Sequence, residues 1–248
     1  MSQNYMNLKG KLVFVMGGGK FGTKALQYLK ANGCKVLVAD VNPECMAKSE
    51  ITFQAVGLDA VNSLMNGQAA FLLGDAVKLL LRLLETKVPD LVVTAIPGNA
   101  VAKVVAAWLS KRGYKLEPFG TIIPRVLENL PKSLVSFVDH ESAVIVVSYM
   151  PPNMQCRENC MPPKNFCALT GRPRPASMDK LLEFSVYNLM DNSMIFISKQ
   201  LTGGLGAING KELLSLLRNL EKVEKAYTLA LGTACDCHGV LNITKIMK

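Results

Sequence analysis

The sequence predicts an α/β fold: a parallel sheet with helices on both faces, followed by a smaller α/β domain carrying a cysteine-rich loop. Three observations predict it. The first half alternates short apolar runs with amphipathic stretches of helical spacing, the pattern of parallel strands buried on both faces. A glycine-rich turn, MGGGKFG, follows the first of those runs. Three of the seven cysteines fall in one proline-rich stretch, CRENCMPPKNFC, residues 156–167.

Taken in order, KLVFVM reads as a strand and FGTKALQYLKANG as a helix, with Ala25, Leu26 and Leu29 on one face and Gly33 as its stop. KVLVAD is the second strand. MAKSEITFQAV is ambiguous, and GLDAVNSLMNG reads as a short helix. AAFLLG and DAVKLLLRLLETKV are the third strand and its helix; DLVVTAIP and GNAVAKVVAAWLSKRG are the fourth strand and another helix. YKLEPFG and TIIPRVLENLP carry prolines and no strong period, so a boundary is placed there. The expected domains are residues 8–115 and 130–248.

In the second half SLVSFVD and AVIVVSYM read as strands flanking a short HES turn. The cysteine loop runs from Pro151 to about Pro175. SMDKLLEFSVYNLM is a helix with Ser177 as candidate N-cap. SMIFISKQ is a strand, LTGGLGAING a glycine-rich loop resembling a second anion site, and KELLSLLRNLEKV a helix. KAYTLALGTACDCHG closes the pattern with a strand and a second cysteine cluster.

Composition narrows the function classes. The chain has 248 residues, of which half are hydrophobic and 19% charged, so a packed core is expected rather than disorder. Its apolar runs are too short to span a bilayer, and MSQNYMNLKGKLVFVMGGGK does not read as a secretory signal. A cytoplasmic protein, with no membrane span, is expected. The formal net charge is +9, but the basic residues are scattered, without the aromatic interleaving of a nucleic-acid module. Solvated surface and attraction for anions explain the charge, and no nucleic-acid partner is expected. A homo-oligomer is.

Gly17, Gly19 and Gly22 have G-x-G-x-x-G spacing between a strand and a helix, the context that a dinucleotide loop requires. Gly17 permits the turn, Gly19 lets backbone approach a pyrophosphate, and Gly22 lets the helix pack on the sheet. Asp40 ends the second strand near the offset of about 20 residues at which a carboxylate takes a ribose hydroxyl, which favours NAD over NADP. The predicted nucleotide set is Gly17, Gly19, Lys20, Phe21, Gly22, Asp40, Val41, Asp75, Ile96, Pro97 and Gly98, the last three at the nicotinamide end in a Rossmann-type domain. A plain β–α turn explains TAIPGN nearly as well.

VMGGGKFGTKALQYLKANGCKVLVADVNPE, with LLGDA at Gly74 and Asp75, resembles the nucleotide-binding domain of potassium-uptake regulators, the TrkA-N or RCK group. The resemblance covers roughly the first 110 residues and implies adenine-nucleotide contacts at Gly17, Gly19, Gly22, Asp40 and Asp75. GGGKFGTKALQYL is also similar to the opening of the precorrin-2 dehydrogenase/ferrochelatase proteins, which use NAD. The C-terminal half resembles neither.

The cysteines are the second candidate site. Cys156, Cys160 and Cys167 share a loop too long to be structureless unless it is functional or pinned; Cys235 and Cys237, followed by His238, end a distant strand. The spacing matches neither a zinc ribbon nor a bacterial ferredoxin. Four of these thiolates can close a zinc site or hold an iron–sulfur cluster; iron–sulfur is favoured over zinc because Met161, Pro162, Pro163 and Phe166 would exclude water. Free redox-active thiols remain open. Cys34 reads as a core thiol and Cys45 as a loop thiol. His140, in the DHES turn, reads as turn surface, and Arg172 and Arg174 as charged loop surface or anion holders.

The expected function is an NAD-binding intracellular redox protein with a cysteine-ligated metal centre and, as partner, a redox protein. The alternative is a non-catalytic, TrkA-N-like nucleotide sensor with structural zinc or a thiol switch. No nucleophile–base pair identifies a substrate or a catalytic residue.

Overall fold

The computed structural model describes residues 7–151, 154, 160, 163, 165–222 and 227–248. The chain is α/β with mixed sheets. It divides into two compact units, Met1–Ala100 with Leu205–Leu214 and Val101–Gly204 with Ser215–Lys248. The division thus falls earlier than the 8–115 and 130–248 boundaries, and a later segment returns to the first unit. The second unit is the larger of the two.

In the first unit, β1 (Leu12–Met16), β2 (Lys35–Asp40), β3 (Phe53–Gln54), β4 (Ala69–Leu73) and β5 (Leu91–Thr94) run parallel, in the spatial order β5-β1-β2-β4-β3. Strand β1 is buried throughout, and Val36 to Ala39 and Ala69 to Leu72 are buried as well. A strand whose both faces meet protein has no alternation to show, so it reads as a continuous apolar run. Helix α1 (Lys20–Ala31) buries Gly22, Ala25, Leu26 and Leu29. The ambiguous MAKSEITFQAV becomes a 3-10 turn, Met46–Glu50, followed by β3. Helix α2 (Ala60–Ser63) is a single turn. Helix α3 (Ala76–Thr86) is capped by Asp75, whose Oδ1 accepts the Lys78 N–H at 2.9 Å. Helix α4 (Ala100–Ser110) follows β5.

The second unit holds a six-stranded mixed sheet. The expected boundary at residues 114–131 is structured: β6 (Lys115–Pro118) pairs antiparallel with the last strand, and α5 (Ile123–Glu128) contributes Ile123 and Val126 to the core. Its prolines misled. Pro118 ends an edge strand, a place where a proline is tolerated, and Pro124 sits in the first turn of a helix, where no N–H is missed. Strands β7 (Val135–Asp139) and β8 (Val144–Ser148) form the expected hairpin. Helix α6 (Met178–Val186) starts after Ser177, which has the extended backbone of an N-cap but makes no side-chain capping bond. Strand β9 (Asn192–Ile197) pairs parallel with the penultimate strand.

LTGGLGAING is not a loop. It lies in β10 (Lys199–Thr202) and β11 (Leu205–Asn209), joined at Gly203 and Gly204. Ala207 and Ile208 are buried, and Ile208 and Asn209 pair antiparallel with Val92 and Leu91 of β5. Helix α7 (Gly210–Leu220) follows with no free glycine loop before it, so the second anion loop is withdrawn. Nor does the pattern end at the second cysteine cluster: β12 (Tyr227–Ala234) is followed by β13 (His238–Met247), antiparallel over eight residue pairs. The core of this unit joins Ile122, Ile123 and Val126 to Met178, Leu182 and Val186, against Ile145, Val147, Ala230, Leu241 and Ile243 of the sheet.

Candidate functional site

Two places combine unusual geometry with reactive or anion-seeking groups, one in each unit. The first is the turn between β1 and α1. Gly17 has φ +94°, a conformation that side chains rarely adopt, and a Cβ there would lie 2.8 Å from the Ala95 carbonyl oxygen. Gly22 is buried against the same turn: a Cβ would sit 1.9 Å from the Gly17 carbonyl oxygen. Gly19 differs. Its backbone is ordinary, φ −72° and ψ −164°, it stands at the N-cap of α1, and a Cβ would meet nothing within 4 Å.

Asp40 closes this turn from below. Its Oδ2 accepts the Gly18 N–H at 2.6 Å and its Oδ1 the Asn42 N–H at 2.8 Å. Each carboxylate oxygen keeps a lone pair beyond its backbone bond. Leu73 is the register partner of Asp40 on β4, and both Leu73 and the adjacent Val41 are exposed, as are Lys20 and Phe21 beyond the turn. Asp75 is exposed, with one oxygen given to its helix cap. Ile96 is half-buried two residues beyond β5, Pro97 and Gly98 are exposed, and Gly98 has φ +73°. Strands β1, β2 and β5 all run parallel, so their carboxyl ends share one edge of the sheet.

Cys45 is corrected from loop thiol to buried thiol. It packs under the glycine turn, where a Gly18 Cβ would come within 2.4 Å of its Sγ, and burial followed by the Asp40 charge pushes its pKa up. Cys34 is the core thiol expected; its Sγ donates to the Leu8 carbonyl, and burial pushes it up to about 11.

The second place is the β12–β13 hairpin turn with the end of the cysteine segment. Asn165 to Arg174 form a small hairpin: Phe166 bridges Pro173, the Cys167 N–H bonds the Arg172 carbonyl, the Gly171 N–H bonds the Cys167 carbonyl, and the Arg174 N–H bonds the Asn165 carbonyl. Cys167 is buried there. Its burial alone would raise the pKa, but the Thr170 hydroxyl and N–H, the Leu169 N–H and the Arg174 charge together hold the thiol below its ordinary range. Cys235, Asp236 and Cys237 form the turn between β12 and β13. Cys237 is buried and is pushed up to about 11 by burial, against the pull of Arg174. The Cys235 Sγ lies 3.7 Å from His238 Nδ1. His238 is pushed down, first by burial and then by Arg174.

Arg174 is the centre of this cluster, and the reading of it as charged loop surface is corrected; Arg172 is exposed as expected. Arg174 is 4% exposed, and its Nη1 donates to Cys237 Sγ at 2.7 Å. Nothing local in GRPRPA distinguishes it from Arg172; only the packing of the two hairpins does.

Of the cysteine ligand set, Cys156 lies outside the described residues. Cys160 is half-buried, with its carbonyl bonded by Gln200 Nε2 at 2.7 Å. Cys167 and Cys237 both interact with Arg174, and Cys235 with His238. Among the described residues no three of His, Cys, Asp and Glu are gathered as a metal ion would require. His140 is exposed in the β7–β8 turn, where Asp139 bonds the Glu141 and Ser142 N–H groups and the Ser142 hydroxyl, so the DHES segment is a polar hairpin turn. Among the described residues no helix is long and apolar enough to cross a membrane.

Two family models cover the chain, one for each part: residues 12–97 match the N-terminal domain, and residues 101–247 the C-terminal domain, of a protein family described as uncharacterized. The chain belongs to this AF_1314 family. A protein of Archaeoglobus fulgidus, itself described as uncharacterized, is 31% identical over 231 residues, spanning 93% of this chain and 98% of its own length. The resemblances to the TrkA-N/RCK group and to precorrin-2 dehydrogenase are thereby corrected. The glycine turn that carried both is short, and the packing of the β–α turn itself already requires Gly17 and Gly22. The match over both halves belongs instead to this family.

Proposed function

We propose that the protein binds an adenine dinucleotide, NAD in preference to NADP, on a Rossmann-type first unit, and that it serves redox chemistry through the cysteines of the second. Gly19 carries the nucleotide reading. Gly17 and Gly22 are glycines because the chain itself leaves no room for a side chain; Gly19 has ordinary dihedrals and open space. A glycine that the fold does not require, at a helix N-terminus, fits close approach by a pyrophosphate. Asp40 then faces the ribose from the end of β2, with lone pairs left for a hydroxyl. A 2′-phosphate at that position would be repelled by its charge. The spatial order β5-β1-β2-β4 adds to this reading, because successive strands are laid down to one side of β1 up to β4 and to its other side at β5, and such folds take ligands at that switch of strand order.

For the second unit, the buried Cys167 and Cys237 beside Arg174 support thiol chemistry. The described cysteines do not assemble a metal site by themselves, so iron–sulfur or zinc ligation stands as a question for metal analysis and no step is routed through it. Calorimetric titration of the full chain with NADH and NADPH tests the nucleotide reading. NADH should bind and NADPH should bind at least tenfold more weakly. Absence of heat with both would end it.

A further inference from the structure

Among the described residues the Arg174 side chain has one hydrogen-bond partner and two idle nitrogens. Nη1 is occupied by Cys237 Sγ. Nε and Nη2 are buried and make no hydrogen bond among the described residues. A buried guanidinium is always charged, and a buried donor left without a partner is costly. Nε and Nη2 are also not an arbitrary pair. They form the side edge of the guanidinium, two parallel N–H groups spaced to match two oxygens of one carboxylate or phosphate. The residue beneath them is fixed: Phe166–Pro173 pairing and the Arg174 N–H bond to Asn165 hold its backbone, and Nη1 holds the plane of the group.

We infer that this free edge of Arg174 is a binding site for an oxyanion, a carboxylate or phosphoryl group received bidentately within the second unit, beside Cys237. The site is separate from the glycine turn and does not depend on nucleotide binding there. Both nitrogens are shut off from water, so water does not satisfy them. The chain carries a net charge of +9, which favours anions in general.

The test is the thermal midpoint of the full chain in inorganic phosphate and in acetate, against chloride at equal ionic strength. Wild type, Arg174→Lys and Arg174→Met are compared. In wild type the midpoint should rise with the logarithm of one anion's concentration. Arg174→Lys, which keeps the charge and loses the fork, should need at least tenfold more anion. Arg174→Met should not respond. A response to phosphate alone assigns a phosphoryl ligand, and a response to acetate alone a carboxylate. Phosphate held at the glycine turn would stabilise Arg174→Met as well as wild type, and that result overturns the inference, as does a wild type indifferent to both anions. Should Arg174→Met fail to fold, the alkylation rate of Cys237 in wild type, read by peptide mass, replaces it. The binding anion should slow that rate at least threefold, and equal rates in anion and chloride overturn the inference.

Discussion

Gly19 and Gly22 lie three residues apart in one turn, and the structure predicts opposite behaviour for them. Replacing Gly22 by Ala places a Cβ 1.9 Å from the Gly17 carbonyl oxygen and 2.9 Å from its carbon. The obstacle is backbone, and it cannot retreat cheaply. Gly17 is held by its N–H bond to the Ala39 carbonyl at 2.8 Å, and it is already in a conformation that only glycine adopts readily. Forcing extra atoms into packed surroundings costs about 1–3 kcal/mol. Against that, Ala in place of Gly inside a helix is worth about 1 kcal/mol. With a rigid obstacle the upper part of the range applies, and the net loss should be about 2 kcal/mol. Replacing Gly19 by Thr adds a side chain into open space at a helix N-cap, where Thr is well suited. Its stability should lie within about 0.5 kcal/mol of wild type. Urea unfolding with a common slope gives both numbers. NADH titration gives the other half: Gly19→Thr should bind at least tenfold more weakly although it is as stable as wild type. If Gly19→Thr is as stable and binds equally, the glycine serves no ligand and the reasoning fails. If Gly22→Ala is as stable as wild type, the turn yields and the account of its packing is wrong.

Asp139 is held below the usual carboxylate range, chiefly by the Ser142 hydroxyl and then by backbone N–H groups. Its contribution is therefore present above the unfolded value of about 3.9 and lost as pH falls through the folded value. The stability difference between wild type and Asp139→Asn, followed by urea midpoints from pH 6 down to 2, should shrink below about pH 4; a constant difference would contradict it. Leu182 is fully buried between α6 and the second sheet, so Leu182→Ala should cost about 2–5 kcal/mol, read from the unfolding midpoint, and a loss below 1 kcal/mol would count against the packing described. Asp40→Ala removes the acceptor of two backbone N–H groups. It should lower stability by about 1–3 kcal/mol as well as NADH affinity, so it is a weaker probe of the ribose contact than Gly19→Thr. Protein purified without oxygen and assayed for iron, acid-labile sulfide and zinc decides the cysteine ligand set. Iron with sulfide supports a cluster, one zinc per chain supports a structural site, and neither leaves thiol chemistry alone.

Apart from the ambiguous stretch that holds β3, the order of strands and helices through Ser110 was legible because each element carries its own signal. Buried parallel strands are apolar runs, amphipathic helices show their period, and Gly33 and Asp75 mark a stop and a start. The glycine turn was legible as a tight turn for the same reason. The second half hid its elements. The edge strand Lys115–Pro118 has no apolar run, and LTGGLGAING reads as loop because its glycines mask the strand in which Ile208 and Asn209 pair with β5. Strand β13 did carry a signal, the buried Gly239, Leu241 and Ile243 alternating with less buried neighbours, which the cysteine cluster before it obscured.

What the sequence determined by itself was local: a parallel α/β unit, a glycine turn with an acid following it, and cysteines set in loops. Tertiary structure decided which glycines the fold needs and which it leaves free, since that depends on the distance from an absent Cβ to backbone far along the chain. It decided that Leu205–Asn209 pairs with β5, more than a hundred residues away, and that Cys235 and Cys237 turn a hairpin rather than end a strand. It also chose Arg174 over Arg172. Both read alike in GRPRP, but burial beside Cys237 made one a charge in need of a partner and left the other in water. Desolvation acts on a group's surroundings, and those surroundings come from segments that only the fold brings together.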